Sequence, residues 1–320
     1  MRSLTRLILP ILIAVAPLPA LAQADAPAAA PVATVTTTDV PTASLDAVTA
    51  DAAFGQPRGG VDLQTPVTPI AREAHAMSVN VLNPLMIAVA VFVLILMAYT
   101  IIRYSARVNK VASRTSHNTL VEVIWTVVPV LILVWIAVPS FRLLANQYSP
   151  PRADITIKAT GHQWYWEYEY PDQGGFSYDS VMLTEAEAAK RKSPNLLDVD
   201  NRIVVPVGAT VKVLTTAADV IHSFAVPSFW VKMDAVPGRI NETWFKVDRP
   251  GVYFGQCSEL CGTKHGFMPI AVEVVSKQQF AAWVAAKQKE NGIDPASAGA
   301  PPAAAAPATA AATPVAAPAA

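Results

Sequence analysis

The chain has few cysteines and few charged residues. Only two of its 320 residues are cysteine, and 15% are Asp, Glu, Lys or Arg, with a formal net charge of zero. Neither cysteine begins a C-x-x-C-H haem-attachment sequence, so a fused c-type cytochrome is excluded. Because no Lys/Arg-rich tract is present, the sequence gives no indication of nucleic-acid binding.

Apolar residues are abundant instead. They make up 52% of the chain, and the mean hydropathy is +0.35. Residues Val81 to Ile102 contain no charge, and Val123 to Leu144 form a second run of the same length. At about 1.5 Å per residue, each run matches a hydrocarbon core of about 30 Å. Both runs are predicted to be transmembrane helices, and Pro129 inside the second is a candidate kink.

Charge and composition predict the orientation of the chain. Arg2 and Arg6 precede an apolar run and small residues at Ala20 and Ala22, so residues 1–22 are predicted to be a secretory signal. The loop between the two spans is basic, with no acid before Glu122, and the positive-inside rule places it in the cytoplasm; its bases are Arg103, Arg107, Lys110 and Arg114. Both signals place the region after Leu144 outside the cytoplasm, in an oxidising compartment.

Two stretches have low complexity. Residues 23–74 are largely Ala, Pro, Thr, Val and Asp without a period, and the tail 292–320 is almost wholly Ala and Pro. Too few large apolar side chains are present to offset the cost of ordering the backbone. Both stretches are therefore expected to be disordered, which leaves a hairpin at 75–148 and an outer domain at 149–291.

The outer domain is rich in β-branched and aromatic residues. Alternating patterns such as Val211, Val213 and Thr215, separated by Pro and Gly turn signals, predict half-buried strands in one β-sandwich or barrel. In "QWYWEYEY" (163–170), most of the rings are expected to be ordinary strand side chains. A helix with Ser276 as N-cap is predicted to close the domain, with Phe280, Trp283 and Val284 on one face.

A cluster of soft donors lies in "GQCSELCGTKHGFMPI", residues 255–270. Cys257, Cys261, His265 and Met268 fall within twelve positions, and His222 lies 35 residues upstream of the first cysteine. A disulfide would leave the histidine and methionine unexplained, and a zinc site would leave the methionine idle. Thiolate, imidazole and thioether together favour copper, and the second thiolate favours two bridged copper ions.

These motifs resemble subunit II of bacterial haem-copper cytochrome c oxidases. The resemblance covers about residues 75–290 and rests on "GQCSELCGTKHGFMP", "VIHSFAVPSF", "GHQWYWEYEYP" and the two preceding spans. It implies a membrane-anchored all-β fold, in which a two-helix transmembrane hairpin is followed by a cupredoxin-like Greek-key β-barrel.

The resemblance also implies a set of metal ligands. Cys257 and Cys261 would bridge the dinuclear copper centre called CuA, with His222 and His265 as terminal ligands. Met268 and the carbonyl of Glu259 would be weak ligands. The Glu259 side chain would bind a magnesium ion at the boundary with subunit I.

Further roles follow from the same resemblance. Trp164 would be the point of electron entry from cytochrome c, and Glu122 would stand at the entrance of a proton channel, although an interfacial carboxylate with no such role is the alternative. Acids expected to dock cytochrome c are Glu169, Asp179, Asp200 and Asp219. The implied partners are subunits I and III and the lipid bilayer of the bacterial inner membrane, with the copper domain in the periplasm.

Three other functions were weighed. A quinol oxidase subunit would lack the copper ligands, and the copper domain of a nitrous-oxide reductase would not need the hairpin. A membrane-tethered copper chaperone would give no role to Glu122, Trp164 or the docking acids.

Overall fold

The computed structural model describes residues 48–111 and 113–294. The predicted signal peptide, the first part of the N-terminal extension and nearly all of the tail lie outside these residues. The helices are α1 (Pro69–Met77), α2 (Asn83–Arg103), α3 (Thr119–Tyr148), α4 (Glu185–Arg191) and α5 (Lys277–Glu290). The strands are β1 (Ile155–His162), β2 (Tyr165–Tyr170), β3 (Phe176–Ser180), β4 (Ile203–Pro206), β5 (Thr210–Ala217), β6 (His222–Val226), β7 (Val231–Ala235), β8 (Asn241–Lys246), β9 (Gly251–Gln256) and β10 (Pro269–Val275).

The two long apolar helices form the membrane anchor. Helical residues Pro69–Arg103 and Thr119–Tyr148 are each long and apolar enough to cross a membrane, and the predicted spans lie within them. Their apolar side chains are exposed on the isolated chain, which requires a cover of lipid or protein. Helix α3 continues through Pro129 and Pro139, and Asn118 caps its start by accepting from the Val121 N–H at 3.3 Å.

The outer domain consists of two main sheets and a hairpin. One sheet has the order β3-β2-β1-β5-β8 and the other β4-β10-β9, while β6 pairs with β7. The β1–β5 and β4–β10 pairs are parallel, so the chain crosses between sheets rather than forming a simple meander. The predicted fold class, two apolar helices followed by a β domain, is confirmed.

Alternating side chains explain how the sheets pack. Strand β2 buries Trp166, Tyr168 and Tyr170 completely, and the residues between them lie on the outer face. Ser276 caps α5 as predicted, accepting from the Gln279 N–H, and Trp283 packs with its ring centroid 5.0 Å from that of Tyr170. Aromatic area of this kind dominates core stability.

The expectation of disorder from residue 23 to residue 74 is wrong for residues 48–74. Phe54 is only 5% exposed, packs against Tyr253 and lies beneath the Arg249 guanidinium at 3.9 Å from the ring centroid. The Gly55 carbonyl accepts from the Phe254 N–H at 2.7 Å, which satisfies the free edge of β9. A few apolar side chains are enough here because the barrel supplies their partners. We call residues 48–68 the strap.

The expected boundary of the tail is also slightly displaced. Ile293 packs against the core, and its N–H donates to the Gln288 carbonyl at 2.8 Å. Order therefore extends past residue 292, since the end of α5 holds this side chain on the domain.

Because Phe54 is buried, its substitution should lower the stability of the fold. Phe54→Ala should lower the free energy of unfolding by about 3–5 kcal/mol, because the buried ring leaves a cavity and Arg249 loses its aromatic partner. Urea denaturation of the full chain in detergent measures the change. Val61→Ala, at a fully exposed position of the same strap, should stay within about 0.5 kcal/mol. Equal stability of the two variants would contradict the assignment of the strap to the fold.

Candidate metal centre

Three neighbouring strands bring the soft donors together. His222 is the first residue of β6, Cys257 follows β9, and Met268 precedes β10. Because β9 and β10 pair side by side with Pro269 opposite Gln256, residues 257–268 form a loop that returns to its starting point. The Ser258 N–H donates to the Ser223 carbonyl at 3.0 Å, which fastens this loop to β6.

A glycine permits β6 to approach β9 closely. A Cβ at Gly255 would lie 1.9 Å from the Ala225 carbonyl oxygen, so any other residue there would push the strands apart. Gly161 serves the same purpose on β1, because its Cβ would lie 2.7 Å from the His222 ring. The sequence analysis did not single out either glycine.

The donors form two adjoining sets. The Sγ atoms of Cys257 and Cys261 lie 3.8 Å apart. The Cys257 sulfur faces Nδ1 of His222 at 3.9 Å, and the Cys261 sulfur faces Nδ1 of His265 at 3.5 Å. The Met268 Sδ lies 3.5 Å from the Cys261 sulfur. Each thiol therefore has its own imidazole, and the thioether stands beside one of them.

The site is dry as well as compact. His222 is fully buried, and Cys257, Cys261 and Met268 are each at most 5% exposed. His265 is half-buried in a short 3-10 turn, His265–Phe267. Because these donors are buried, water oxygen does not compete with them for a metal ion. The site therefore favours coordination by the soft sulfur and nitrogen donors.

The two cysteines are not joined by a disulfide in this structure. Both cysteines are free, and a separation of 3.8 Å is far above the roughly 2.05 Å of a sulfur–sulfur bond. Ligand atoms of His222, Cys257 and Cys261 lie within 4.8 Å of one another, close enough to share metal. The thioether beside them fits copper better than zinc. The donor set is consistent with a copper site.

The orientation of His222 is set by a carboxylate. Its Nε2 lies 2.9 Å from Oδ1 of Asp219, so the proton on Nε2 is held there and Nδ1 faces the sulfur. Asp219 also accepts from the backbone N–H groups of Gln163 and Val220. Partial burial alone would raise the pKa of Asp219, but these hydrogen bonds outweigh it and lower the pKa. Its place three residues before His222 was a sequence signal for this contact.

The two thiols differ in acidity. Burial disfavours the thiolate of Cys257, but hydrogen bonding to His222 and to backbone groups prevails and lowers its pKa to about 6. Burial, together with the negative charge on Cys257, raises the pKa of Cys261 to about 12. Because the two negative charges repel, the second thiol of the pair ionises less readily than the first, and a metal that binds both must displace its proton. Although burial lowers the pKa of His222, its contacts with Cys257 and Asp219 raise it overall.

Trp164 contacts the cluster directly. Its indole Nε1–H donates to the Cys261 carbonyl at 3.2 Å, and the Gln163 side-chain amide donates to the same oxygen at 3.0 Å. A Cβ at Gly262 would lie 3.0 Å from the indole, so glycine leaves room for the ring. The structure thus joins a half-buried aromatic side chain to the backbone of a ligand. Gln163 was not among the sequence candidates.

The candidate docking acids differ in their local contacts. Glu169 pairs with Lys158 at 2.9 Å on the outer face of the large sheet. Asp179 lies opposite Glu167 in the β2–β3 register. The Asp200 carboxylate accepts from the Val181 N–H at 2.7 Å and so shapes a turn. Of the four acids, Asp219 is the one that the described structure joins to a metal-site side chain.

Two other glutamates have distinct surroundings. The Glu259 carbonyl lies 3.4 Å from the Cys257 sulfur, while the Glu259 side chain is exposed. Glu122 lies in the first turn of α3, where its Oε1 accepts from the Asn118 N–H at 3.1 Å. This contact supports the interfacial alternative for Glu122 by giving it a capping role.

Two domain profiles and several known proteins are similar to this chain. The profile described as "Cytochrome C oxidase subunit II, periplasmic domain" matches residues 155–275, and that of the corresponding transmembrane domain matches 57–143. The probable cytochrome c oxidase subunit 2 of Rickettsia felis is 54% identical over 237 residues, which are 73% of this chain and 75% of the relative. The Cereibacter sphaeroides subunit 2 is 43% identical over 267 residues, 76% of this chain and 88% of the relative.

A solved structure is similar as well. The crystal structure of the periplasmic domain of subunit II of cytochrome oxidase from Bradyrhizobium japonicum is 56% identical, covering 44% of this chain and 99% of that one, with a TM-score of 0.42. The two profiles together extend over most of the chain, from the middle of the strap into α3 and from the first strand to the last. The chain belongs to the cytochrome c oxidase subunit II family.

Proposed function

We propose that this chain is the electron-accepting subunit of an oxygen-reducing oxidase. It takes single electrons from cytochrome c at a dinuclear copper centre, CuA, and passes them to haem in subunit I, where oxygen is reduced to water with proton pumping. The observation that carries this proposal is the pair of buried, unbonded thiols 3.8 Å apart, each facing its own imidazole.

Two matching donor sets favour two metal ions over one. Cys257 and Cys261 would bridge them, His222 and His265 would each complete one ion, and Met268 and the Glu259 carbonyl would be weak ligands. When bound, the copper pair supplies a carrier for one electron. The protein's contribution is a dry site whose ligands are fixed by β6, β9 and β10, so that little rearrangement accompanies a change of charge.

Electron entry is assigned to Trp164. The indole is half-buried, so one part of the ring is accessible to a partner, while its N–H is bonded to the Cys261 carbonyl. The ring therefore lies between solvent and Cys261, which would hold the copper. Gln163 donates to the same carbonyl and holds the local geometry of that contact.

Cytochrome c docking is assigned to acids on the same domain. Glu169, Asp179, Asp200 and Asp219 would steer a partner rimmed with lysines, and such steering weakens as salt is added. Their contacts suggest unequal contributions. Glu169 already has a lysine partner, and Asp219 is committed to His222, so its charge acts on both docking and the metal site.

Glu259 and Glu122 are assigned to the boundary with subunit I. The exposed Glu259 carboxylate would bind magnesium, with the remaining ligands supplied by the partner and water, as this hard cation prefers oxygen. Glu122 would admit protons to subunit I from the cytoplasmic side. Its hydrogen bond to Asn118 holds the carboxylate at the mouth of α3, so the capping role and the proton role are compatible.

The assembly is placed in the bacterial inner membrane. The basic loop between α2 and α3 would face the cytoplasm, and the copper domain would face the periplasm. Subunits I and III and lipid would cover the apolar side chains that α2 and α3 expose.

The complete function is tested on the purified complex. We expect this chain to hold two copper ions and one magnesium ion, in addition to the copper of subunit I, and we expect oxygen uptake driven by ferrocytochrome c. Cys257→Ser should abolish the purple mixed-valence absorption, the delocalised copper EPR signal and the activity, because one bridging thiolate is lost. Thr263→Ala, at an exposed position of the same loop, should retain all three. Zinc or a single copper ion bound to this chain in the unaltered complex would refute the proposed electron relay. Copper exchange without oxygen uptake would indicate a copper chaperone.

Two acid variants separate docking from metal-site effects. Glu169→Gln should weaken cytochrome c binding by about two- to fivefold at low salt, and the difference should shrink as salt rises. Its copper spectrum should not change. Asp219→Asn should weaken docking and also shift the copper EPR signal, because His222 loses its anionic partner. Salt-dependent kinetics and EPR measure both effects; an unshifted signal in Asp219→Asn would contradict its metal-site role.

Glu122 can be tested against its capping role. Glu122→Gln keeps an oxygen for the Asn118 N–H but removes the titratable group, so turnover should fall by about tenfold or more. Asn118→Ala removes the side-chain cap at a cost of about 1 kcal/mol and leaves the carboxylate in place. Its turnover should stay close to that of the unaltered complex. If Asn118→Ala slows turnover and Glu122→Gln does not, Glu122 acts as a cap and not as a proton entrance.

A further inference from the structure

Helix α1 is wedged between the copper domain and the membrane hairpin. Ile70, Ala71 and Ala74 are each at most 7% exposed, and the two alanines are small enough for close approach of the helix backbone. From the sequence, residues 69–74 were expected to be disordered. Their burial raises the question of what this short helix does at the junction.

The first contact of α1 ties it to the strand that carries a metal ligand. The Thr68 hydroxyl accepts from the Ala71 N–H at 3.0 Å and donates to the Phe229 carbonyl at 2.9 Å. Phe229 ends the 3-10 turn that directly follows β6, and β6 begins with His222. Thr68 is 1% exposed, so water cannot replace either bond.

The other contacts of α1 reach the hairpin and the far sheet. Arg72 pairs with Asp248 at 2.7 Å, and the Asn146 side chain on α3 donates to Glu73 at 3.3 Å. The Asn146 carbonyl in turn accepts from the indole N–H of Trp244 on β8 at 3.1 Å. We call these the α1 clamp: Thr68, Arg72 and Glu73 with their partners Phe229, Asp248 and Asn146, and Trp244.

The clamp supplements two covalent connections between the copper domain and the membrane helices. One is the short segment 149–154 between α3 and β1. The other is the strap, which packs on β9 and whose Val67 N–H donates to the Ser228 carbonyl at 3.1 Å. Within the described residues, no hydrogen bond joins a clamp side chain to the side chain of a proposed copper ligand. The clamp therefore affects the position of the copper site and not its binding of metal.

We infer that the α1 clamp is a positioning device that fixes the copper domain relative to the membrane helices and so sets the rate of electron transfer to the membrane partner. The inference rests on the proposed function. Electron transfer between fixed centres falls steeply with distance because electronic overlap decays exponentially. A domain held less firmly against the membrane helices would spend time at longer distances, whereas a clamped domain would not. Thr68 and Trp244 are the positioning residues.

The test uses Thr68→Val with Trp244→Phe in the purified complex. These changes preserve side-chain shape but remove the bonds to Phe229 and Asn146. The copper absorption and EPR signals and the reduction of copper by cytochrome c should be unchanged. The step from copper to haem, followed after light-triggered reduction, should slow severalfold, because electronic overlap decays exponentially as the distance between the centres grows.

A structural readout accompanies the kinetics. Pulsed EPR between the copper centre and a nitroxide-bearing amino acid at Ser116, in the loop between α2 and α3, should give a broader distance distribution in the double variant. Hydrogen exchange should be faster in α1, with or without metal. Thr65→Val is the matched control, because its hydroxyl bonds to Ala53 within the strap and not to the clamp.

The outcomes separate this inference from the proposed function. An unchanged copper-to-haem rate with an unchanged distance distribution overturns the positioning role and leaves the relay intact. Loss of the copper signal in the double variant also overturns it, because the clamp would then be required to form the site. Absence of copper or of ferrocytochrome c oxidation in the unaltered protein refutes the relay itself, while the hydrogen-exchange result still reports on the clamp.

Discussion

Two thiols held side by side without bonding are the constraint on which the site depends. Cys257 and Cys261 occupy one tight loop between β9 and β10, and the loop is fastened to β6 through Ser223. A looser loop would let the sulfurs oxidise to a disulfide or separate, and either change would destroy the paired donor sets. The close approach of β6 and β9, which Gly255 permits, is therefore a requirement of the chemistry as well as of the packing.

Electrostatics links the metal site to the surface. Asp219 holds the Nε2 proton of His222 and is itself bonded to Gln163, whose side chain also reaches the Cys261 carbonyl. Trp164 donates to that same carbonyl. One small network thus contains a carboxylate that orients one proposed ligand, the backbone of another proposed ligand and the proposed entry residue. A change at any of its members will be felt at the others, because in a partly buried network the effects of separate changes do not simply add.

The strap and α1 make the N-terminal region part of the functional architecture. The strap satisfies the edge of β9 through Gly55 and fills space beside Tyr253 with Phe54. Helix α1 then continues toward the membrane and meets α3 on the way. The segment before the first span therefore supports the copper domain from one side, while the chain leaving α3 supports it from the other.

The sequence alone determined the elements whose signal is local. Long uncharged runs specify the helices that cross a bilayer, two-residue periodicity specifies strands such as β5, and the donors around Cys257 specify soft-metal chemistry. Only the tertiary structure decided the order of residues 48–74, the pairing of Asp219 with His222 and the short strands β6 and β7. These depend on partners far away in the chain: Phe54 is ordered because Tyr253 and Arg249 meet it, which no local pattern records.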